Sequence, residues 1–402
     1  MPRAGVSTSL DTNGDWELGF GMTGQPPKTT VFEYMSGLAR ELNAINLGQG
    51  FPEMEEPPEL IAAAQRALGA RSNQYPPMRG LPELRGAICD YYARTQGLAL
   101  TQDNVVVTSG GTEALAASLL ALVRPGDEVV LVQPLYDAYL PLIEWAGGTA
   151  KFISLTPPDW AFPLEALKAA IGPKTRGLVL NTPNNPVGTM LSRDVLEAIG
   201  ALAQEHDLWV LCDEVWEGMV YDGTPHVSPL AIPSLADRAI KIGSAGKIFS
   251  MTGWKVGWAV AAPALAARIA GRHQFLTFTT ATPLQWAVAE AFALPEQWHR
   301  DHLARYRAAK AQLVEGLTAT GFAVLPASGT WFVTVDLAAS GLPADDLAVS
   351  ERLVREAGVA SIPVSAFYAQ NPECGYLRLC FTKQPAVLDA ALERLATFRA
   401  AL

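Results

Sequence analysis

Four short polar motifs in this chain contain residue types that could do chemistry, and each follows an apolar segment. They are Ser109-Gly110-Gly111-Thr112, the loop 181–188, Asp213-Glu214, and Ser244-Ala245-Gly246-Lys247. Glycines let a backbone approach a ligand closely, and a helix N-terminus offers free N–H groups to an anion, so the first motif is a candidate phosphate site. An ordinary tight turn in which Thr112 caps the next helix is the alternative.

The other three motifs contain a carboxylate, an amine and an amide. Asp213 follows the apolar segment 209–212 and needs a cationic partner, such as a protonated heterocyclic nitrogen, because burial otherwise raises the pKa of a carboxyl. Lys247 lies among small residues, where a neutral amine could form an imine. Asn185, in a loop fixed by two prolines, could present its amide to a ligand oxygen. A helix-capping aspartate, a solvated lysine and asparagines bonded only to their own backbone are the alternatives.

The hydrophobic pattern predicts elements that would bring these motifs together. Short apolar segments alternate with helical patterns, and they occur at 105–107, 129–132, 178–180, 209–212 and 240–242. Strands that are apolar throughout and alternate with helices predict an α/β fold, a mostly parallel sheet with helices on both faces. Ligands of such sheets bind at the carboxyl ends of the strands, which is where the four motifs lie. We therefore expect one site.

Length and composition exclude several function classes. The chain has 402 residues, a net charge of −10, and 49% hydrophobic against 17% charged residues, which is typical of a globular protein. The acidic balance argues against nucleic-acid binding, and no apolar run reaches the roughly 18 residues of a membrane span. Four dispersed cysteines argue against a disulfide scaffold or a zinc site. We expect a cytoplasmic enzyme that binds neither nucleic acid nor a membrane.

The same pattern predicts two domains after an N-terminal arm. Residues 1–28 are short of apolar residues and rich in glycine, so we expect a flexible arm. Residues 47–299 contain the alternating pattern and predict a large domain. Residues 29–46 and 300–402, where antiparallel-looking strands mix with helices, predict a smaller α+β domain.

The order and spacing of the motifs resemble the class I (fold-type I) pyridoxal-phosphate-dependent aminotransferases, over nearly the whole chain from about Thr29. The resemblance is greatest to the branch of kynurenine/glutamine transaminases and bacterial methionine aminotransferases. The stretches that carry it are INLGQGFP (45–52), NQYPPMRGLPELR (73–85), NTPNNPVG (181–188), GSAGKIFSMTGWKVGW (243–258) and IPVSAFY (362–368).

The resemblance implies how a cofactor would be held. Lys247 would hold pyridoxal 5'-phosphate as a Schiff base and later move a proton from the α-carbon of the amino acid to the cofactor. Asp213 would keep the pyridine nitrogen protonated, so that the ring is an electron sink. Asn185 would bond the ring oxygen, and Tyr136 would stack on the ring. The phosphate would be held by Gly111, Thr112, Ser244 and Lys255, and, from the other subunit of a homodimer with shared active sites, by Tyr75.

The resemblance also implies a substrate site with Arg378 as its main group. Arg378 would clamp the α-carboxylate with two parallel hydrogen bonds, and Asn185, Gly50 and Phe32 would lie around the substrate. No arginine occurs in 273–278, where we sought the second arginine of aspartate-type transaminases, although Arg272 just before it could point inward. An uncharged aromatic or thioether-type amino acid is therefore expected. Phe275 and Phe278 are further candidates for the pocket wall, and core packing is the alternative for at least one of them.

Two positions depart from the family pattern. Trp216 stands where family members usually carry a tyrosine whose hydroxyl bonds the ring oxygen of the cofactor, and an indole N–H can donate but not accept. We expect this change to alter the pKa of the cofactor imine. Lys255 stands where many class I enzymes have arginine, although the branch named above also tends to have lysine there.

Other functions remain open from the sequence. Cysteine-S-conjugate β-lysis uses the same carbanion, and N-succinyldiaminopimelate transamination is suggested by the N-terminal stretch Thr29-Thr30-Val31-Phe32. A transcriptional regulator is disfavoured, because no basic helix-turn-helix domain precedes the fold. His299 and His302 lie three residues apart on a predicted helix, and without a third ligand they are expected to be solvated rather than metal-binding.

Overall fold

The computed structural model of the chain describes residues 30–402, and the arm predicted over 1–28 lies outside them. The strands in this part of the chain are β1 (Ile45–Asn46), β2 (Val105–Thr108), β3 (Glu128–Gln133), β4 (Thr149–Ser154), β5 (Thr175–Asn181), β6 (Trp209–Asp213), β7 (Ala239–Ser244), β8 (Gly257–Ala261), β9 (Ala323–Leu325), β10 (Phe332–Asp336), β11 (Val359–Ala360), β12 (Ile362–Pro363) and β13 (Tyr376–Cys380).

Helices account for most of the remaining regular structure between residues 30 and 402. They are α1 (Val31–Glu41), α2 (Pro58–Ala70), α3 (Pro82–Gln96), α4 (Gly110–Leu122), α5 (Tyr139–Trp145), α6 (Leu164–Ala170), α7 (Arg193–Glu205), α8 (Ala245–Ile248), α9 (Pro263–Leu276), α10 (Thr282–Phe292), α11 (Glu296–Ala319), α12 (Asp346–Arg352) and α13 (Pro385–Ala400). None of the helices in residues 30–402 combines the length and the apolar character that a membrane span requires.

A seven-stranded sheet in the order β2-β8-β7-β6-β5-β3-β4 forms the centre of the molecule. Six of its strands run parallel, and β8 is antiparallel to both of its neighbours. Nearly every residue of these strands except those of β4 is buried, because helices cover both faces: α4, α5 and α9 pack on one face, and α3, α7 and α10 on the other. The mostly parallel α/β fold expected from the sequence is confirmed.

A second, four-stranded antiparallel sheet is built by the C-terminal part of the chain. Its order is β12-β13-β10-β9, and α11 and α13 pack against it in an apolar cluster that includes Leu313, Leu388 and Leu395. The strand β1 pairs with β11 and so joins residues 45–46 to this region. These contacts are compatible with the predicted small domain, whose exact boundaries stay a prediction.

Candidate active site

A cavity of about 250 Å³ opens at the carboxyl edge of the seven-stranded sheet. The register of the sheet places Asn181 beside Asp213 and Asp213 beside Ile242, so the segments that follow β5, β6 and β7 meet there. The cavity contains all of the predicted cofactor-binding residues except Tyr75; its wall is formed by Gly110, Gly111, Thr112, Leu115, Tyr136, Asn181, Asn185, Asp213, Val215, Trp216, Ser244, Gly246, Lys247, Thr252 and Lys255.

Asp213 is a buried carboxylate at the end of β6. Its Oδ2 accepts from the Tyr139 hydroxyl at 2.7 Å, and its Oδ1 accepts from the Val215 N–H at 3.3 Å. Burial raises the pKa of Asp213 to about 6, although these hydrogen bonds and the nearby Lys247 act in the opposite direction. A cation placed against this carboxylate would therefore be stabilised strongly.

Lys247 brings an amine to the same cavity from the short helix α8. Its Nζ lies 4.7 Å from the centroid of the Trp216 ring and 4.9 Å from that of the Trp331 ring. The pKa of Lys247 is lowered to about 8, mainly by burial; Asp213 opposes this shift, and the neighbouring Lys255 adds to it. A sizeable neutral fraction is thus present near neutral pH, as a nucleophilic amine needs.

The N-terminus of α4 and Lys255 form a cationic corner of the cavity. Gly110 has a φ of +82°, and a Cβ on it would lie 3.0 Å from Lys255 Nζ, so only glycine lets the lysine lie against this helix end. A Cβ on Gly257 would lie 2.5 Å from the carbonyl carbon of Gly110. Free N–H groups, an ammonium and the hydroxyls of Thr112 and Ser244 together make a site suited to a phosphate dianion.

Asn185 is held by Asn181, a residue that the sequence analysis did not single out. Asn181 Oδ1 accepts from the Asn185 N–H at 2.7 Å, and Asn181 Nδ2 donates to the Asp213 carbonyl at 2.9 Å. Asn181 therefore connects the segment of Asp213 to the loop that contains Asn185. Its position as the last residue of β5, next to the end of β6, is the sequence signal that could have identified it.

Arg378, on β13, reaches the cavity region from the antiparallel sheet. Its Nη1 donates to Asn185 Oδ1 at 2.9 Å, and its Nη2 donates to the Gly48 carbonyl at 2.6 Å. Only 4% of Arg378 is exposed, and burial lowers the pKa of its guanidinium to about 10. Both of these acceptors are neutral oxygens, and among residues 30–402 its Nε has no hydrogen-bond partner. A buried, uncompensated guanidinium is a site for a carboxylate ligand.

Aromatic rings surround the Arg378 guanidinium. The centroids of Phe332, Phe367 and Phe32 lie 4.0, 4.9 and 5.9 Å from its Cζ. Gly50 allows this packing, since a Cβ there would lie 2.6 Å from Phe332 Cζ. The predicted residues Gly50 and Phe32 are thus beside Arg378 in the fold.

Within one chain, Tyr75, Phe275 and Phe278 lie neither in the cavity wall nor around Arg378. Tyr75 is 81% exposed and lies edge-to-face on Phe278 at 5.4 Å. Phe275 and Phe278 are 83% and 42% exposed, and neither lines the cavity. Within the single chain, these two phenylalanines neither form the pocket wall nor pack in the core.

An ionic network that the sequence analysis missed lies behind the Asp213 loop. Glu214, Glu217 and His226 place their ligand atoms within 4.8 Å of one another. Lys241 is fully buried among them, with its Nζ 2.6 Å from Glu214 Oε2 and 2.5 Å from Glu217 Oε2. The ammonium takes the place that a cation would occupy. A lysine within the otherwise apolar segment of β7 is the signal that could have revealed the network.

A larger cavity of about 470 Å³ lies beside the first, between residues near Trp160 and those near Ser328. It shares Asn181 with the first cavity but contains neither Lys247 nor Asp213. The amine, the carboxylate and the cationic corner all lie in the smaller cavity, which is therefore the candidate active site.

Comparisons with known proteins agree with this geometry. The family described as "Aminotransferase class I and II" matches residues 43–395. A probable N-succinyldiaminopimelate aminotransferase of Mycobacterium tuberculosis is 39% identical over 386 residues, covering 92% of this chain and 96% of the relative. The methionine aminotransferase of Escherichia coli is 39% identical over 368 residues, covering 91% and 95%. The human kynurenine–oxoglutarate transaminase 1 is 34% identical over 399 residues, covering 91% and 94%.

Solved structures show the same likeness. An Escherichia coli protein whose structure identified a methionine aminotransferase function superposes with a TM-score of 0.89 at 38% identity, covering 93% of this chain and 99% of that one. The N-succinyldiaminopimelate aminotransferase of Mycobacterium tuberculosis gives a TM-score of 0.88, covering 92% and 97%. The chain therefore belongs to the class I and II aminotransferase family and is an aminotransferase that uses pyridoxal 5'-phosphate.

Proposed function

We propose that this enzyme transfers the amino group of an uncharged aromatic or thioether-type L-amino acid, such as Met, Gln, Phe, Tyr, Trp or kynurenine, to a 2-oxo acid. The observation that carries the proposal is the aromatic enclosure of Arg378 by Phe32, Phe332 and Phe367. Such a wall favours an apolar side chain beside the α-carboxylate site. Methionine and kynurenine transaminases among the relatives support the same substrate class.

The residues of the cavity fit pyridoxal 5'-phosphate. The corner formed by the α4 N-terminus and Lys255 suits its phosphate, and the buried Asp213 suits a protonated ring nitrogen. Lys247 lies between these two groups with a pKa lowered to about 8 by burial. We assign the phosphate to Gly111, Thr112, Ser244 and Lys255, the ring to Asp213, Asn185, Tyr136 and Trp216, and the covalent attachment to Lys247.

The mechanism assigns one task to each side chain around the reacting atoms. The bound cofactor supplies an electron sink for the charge that develops at the α-carbon. Arg378 binds the α-carboxylate with two donors and so orients the Cα–H bond towards Lys247. Lys247, released when the amino group of the substrate takes its place on the cofactor, would take the proton from the α-carbon and donate it to the cofactor. The rings of Trp216 and Trp331 stabilise the transient ammonium by cation–π contact.

A homodimer with shared sites is part of the proposal. Tyr75, Phe275 and Phe278 are exposed together with Leu276, and a contiguous apolar surface of this kind is typical of a protein interface. We propose that a second copy of this chain covers it and receives Tyr75 at its phosphate corner. The cytoplasmic location expected from the composition is retained as a proposal.

A second candidate substrate is N-succinyl-diaminopimelate. The Mycobacterium tuberculosis relative that carries this name is as similar in sequence as the methionine aminotransferase, at 39% identity. This substrate has a succinyl carboxylate that needs a second cation. The lysines of the described cavity, Lys247 and Lys255, are already assigned to the cofactor, which favours the uncharged substrate.

A half-reaction experiment tests the proposal. The purified enzyme with its cofactor is mixed with a single amino donor and no 2-oxo acid, and the visible absorption band of the bound cofactor is followed. We expect methionine and phenylalanine to bleach the band at a rate that saturates with donor, and aspartate to leave it unchanged. Faster bleaching by N-succinyl-diaminopimelate would replace the proposal with the second candidate. A persistent band with accumulating pyruvate and ammonia from a cysteine S-conjugate would indicate β-lysis instead.

A further inference from the structure

Glu113 and His273 form a buried pair outside the cavity that the proposed mechanism does not use. Glu113 is in the first turn of α4, directly after Thr112, and His273 lies near the C-terminal end of α9. His273 is fully buried, and its Nδ1 lies 2.6 Å from Glu113 Oε1. The pair therefore joins the phosphate corner to a distant helix.

Both ring nitrogens of His273 face hydrogen-bond acceptors. Nε2 lies 3.0 Å from the Met78 carbonyl oxygen, which can only accept, and Nδ1 faces the Glu113 carboxylate. Glu113 also accepts from the Ser109 N–H and, at 2.8 Å, from the Thr277 hydroxyl. The His273–Glu113 contact has the geometry of a buried ion pair.

The pair connects two segments that serve different cofactor molecules in the proposed dimer. Ser109 begins the turn that holds the phosphate in its own subunit. Met78 lies three residues after Tyr75, which is proposed to reach the phosphate in the partner. The ring of Tyr75 also rests on Phe278, one residue after Thr277. The ion pair thus touches both the local phosphate turn and the segment that presents Tyr75.

A second series of hydrogen bonds connects the phosphate corner to the segment that contains Tyr75. Thr280 Oγ1 donates to the Lys255 carbonyl at 3.4 Å, and Gln285 Nε2 donates to the Thr280 carbonyl at 2.9 Å. Gln285 Oε1 accepts from the Leu81 N–H at 2.9 Å. Both series of contacts include residues from 273–285. A displacement at the phosphate corner can therefore reach residues 75–81 through contiguous contacts.

We propose that Glu113 and His273 are positioning residues that couple the two cofactor sites of the dimer. The proposal rests on the proposed function, since it needs a dimer in which Tyr75 serves the partner's site. Phosphate bound at Ser109–Thr112 fixes the first turn of α4. The Glu113–His273 ion pair then restrains His273 and the Met78 carbonyl, so Tyr75 is held in the position that serves the partner's site. Occupation of one site then raises the affinity of the other.

Titration of the cofactor-free protein with pyridoxal 5'-phosphate, followed by calorimetry, tests the coupling. The variants are Glu113→Gln and His273→Gln, and the matched control is His302→Gln, because His302 is a buried histidine of α11 that stacks on Trp298 instead. We expect the wild type and the control to bind with a Hill coefficient above 1, the second site binding about fivefold tighter or more. Both variants should bind more weakly and without cooperativity.

Four outcomes would overturn the coupling. The first is a wild-type titration without cooperativity. The second is variants that lose thermal stability but keep the wild-type Hill coefficient, which would make the pair purely structural. The third is a monomer in sedimentation, or a dimer in which Tyr75→Phe leaves cofactor affinity unchanged; this would refute the shared site as well. The fourth is a dimer whose cofactor affinity falls in Tyr75→Phe but whose affinity and Hill coefficient are unchanged in Glu113→Gln. This result would refute the coupling but not the shared site.

Discussion

Replacing Lys247 with methionine should stabilise the cofactor-free protein while abolishing activity. Burial lowers the pKa of Lys247 from 10.5 to about 8, and at about 1.36 kcal/mol per pKa unit the folded chain holds this ammonium at a cost of about 3 kcal/mol. The side chain is only half-buried and faces the cavity, so water offsets part of this cost and we expect a gain of about 1–3 kcal/mol. Methionine is a flexible apolar side chain that can pack between the rings of Trp216 and Trp331.

The gain should depend on pH in a defined direction. The free-energy cost of burying Lys247 arises from its charged form, so this cost is fully present below the folded pKa of about 8. Between that value and the unfolded pKa of 10.5 the folded protein binds fewer protons than the unfolded chain, and its stability rises with pH relative to the variant. The advantage of Lys247→Met is therefore greatest near neutral pH and is lost as the pH approaches 10.5.

Scanning calorimetry of the cofactor-free proteins measures this effect. At about 2.1 cal/mol/K per residue the unfolding entropy of a chain of this length is about 0.8 kcal/mol/K, so the gain raises Tm by about 1–4 °C at neutral pH. Lys174→Met is the matched control, because Lys174 is an exposed lysine outside the cavity and should give no gain. An unchanged Tm at neutral pH, or an equal rise at neutral and alkaline pH, would refute the reasoning.

Three further changes test other parts of the site. Arg378→Lys removes one of the two parallel donors, and a charge-assisted hydrogen bond of about 1.5–3 kcal/mol predicts a fall in kcat/KM of about 10–100-fold in steady-state assays, with the cofactor still bound. Gly50→Ala places a Cβ 2.6 Å from Phe332 Cζ, so we expect a loss of about 1–3 kcal/mol in stability and a raised KM; unchanged kinetics would contradict the packing. Lys241→Met leaves Glu214 and Glu217 buried without their cation, and a loss of about 3–5 kcal/mol in a denaturation curve is expected, which adding Glu214→Gln and Glu217→Gln should partly restore.

The elements and the principal site residues were predictable because both have local signals. Apolar segments such as 209–212 mark buried strands; Asp213 directly follows that segment, and Lys247 lies a few residues after the segment 240–242. The carboxyl edge of a parallel sheet gathers these strand ends in space, so their convergence could be expected without coordinates. The position of β8, antiparallel between β2 and β7, has no such signal, because it depends on which strands pair in space and not on the local sequence.

The contacts that support the site were not predictable, since they join residues far apart in the chain. Lys241 meets Glu217, and Glu113 meets His273, only because the sheet and α9 place them together. His302 was expected to be solvated, and this is wrong: it is 4% exposed and stacks on Trp298 at 4.8 Å. Periodicity shows which residues share a helix face, whereas burial depends on what packs against that face.

The two indole rings at Lys247 give the protein an optical reporter of its own active site. The sequence contains ten tryptophans, and Trp216 and Trp331 are the pair whose rings lie within 5 Å of each other and of the lysine Nζ. The emission of these two rings is expected to respond to the charge and occupancy of that position, because both rings lie against the lysine amine. The difference spectrum between the wild type and Trp216→Phe therefore isolates a signal from the reacting centre, so cofactor loading and lysine ionisation can be followed without an added dye.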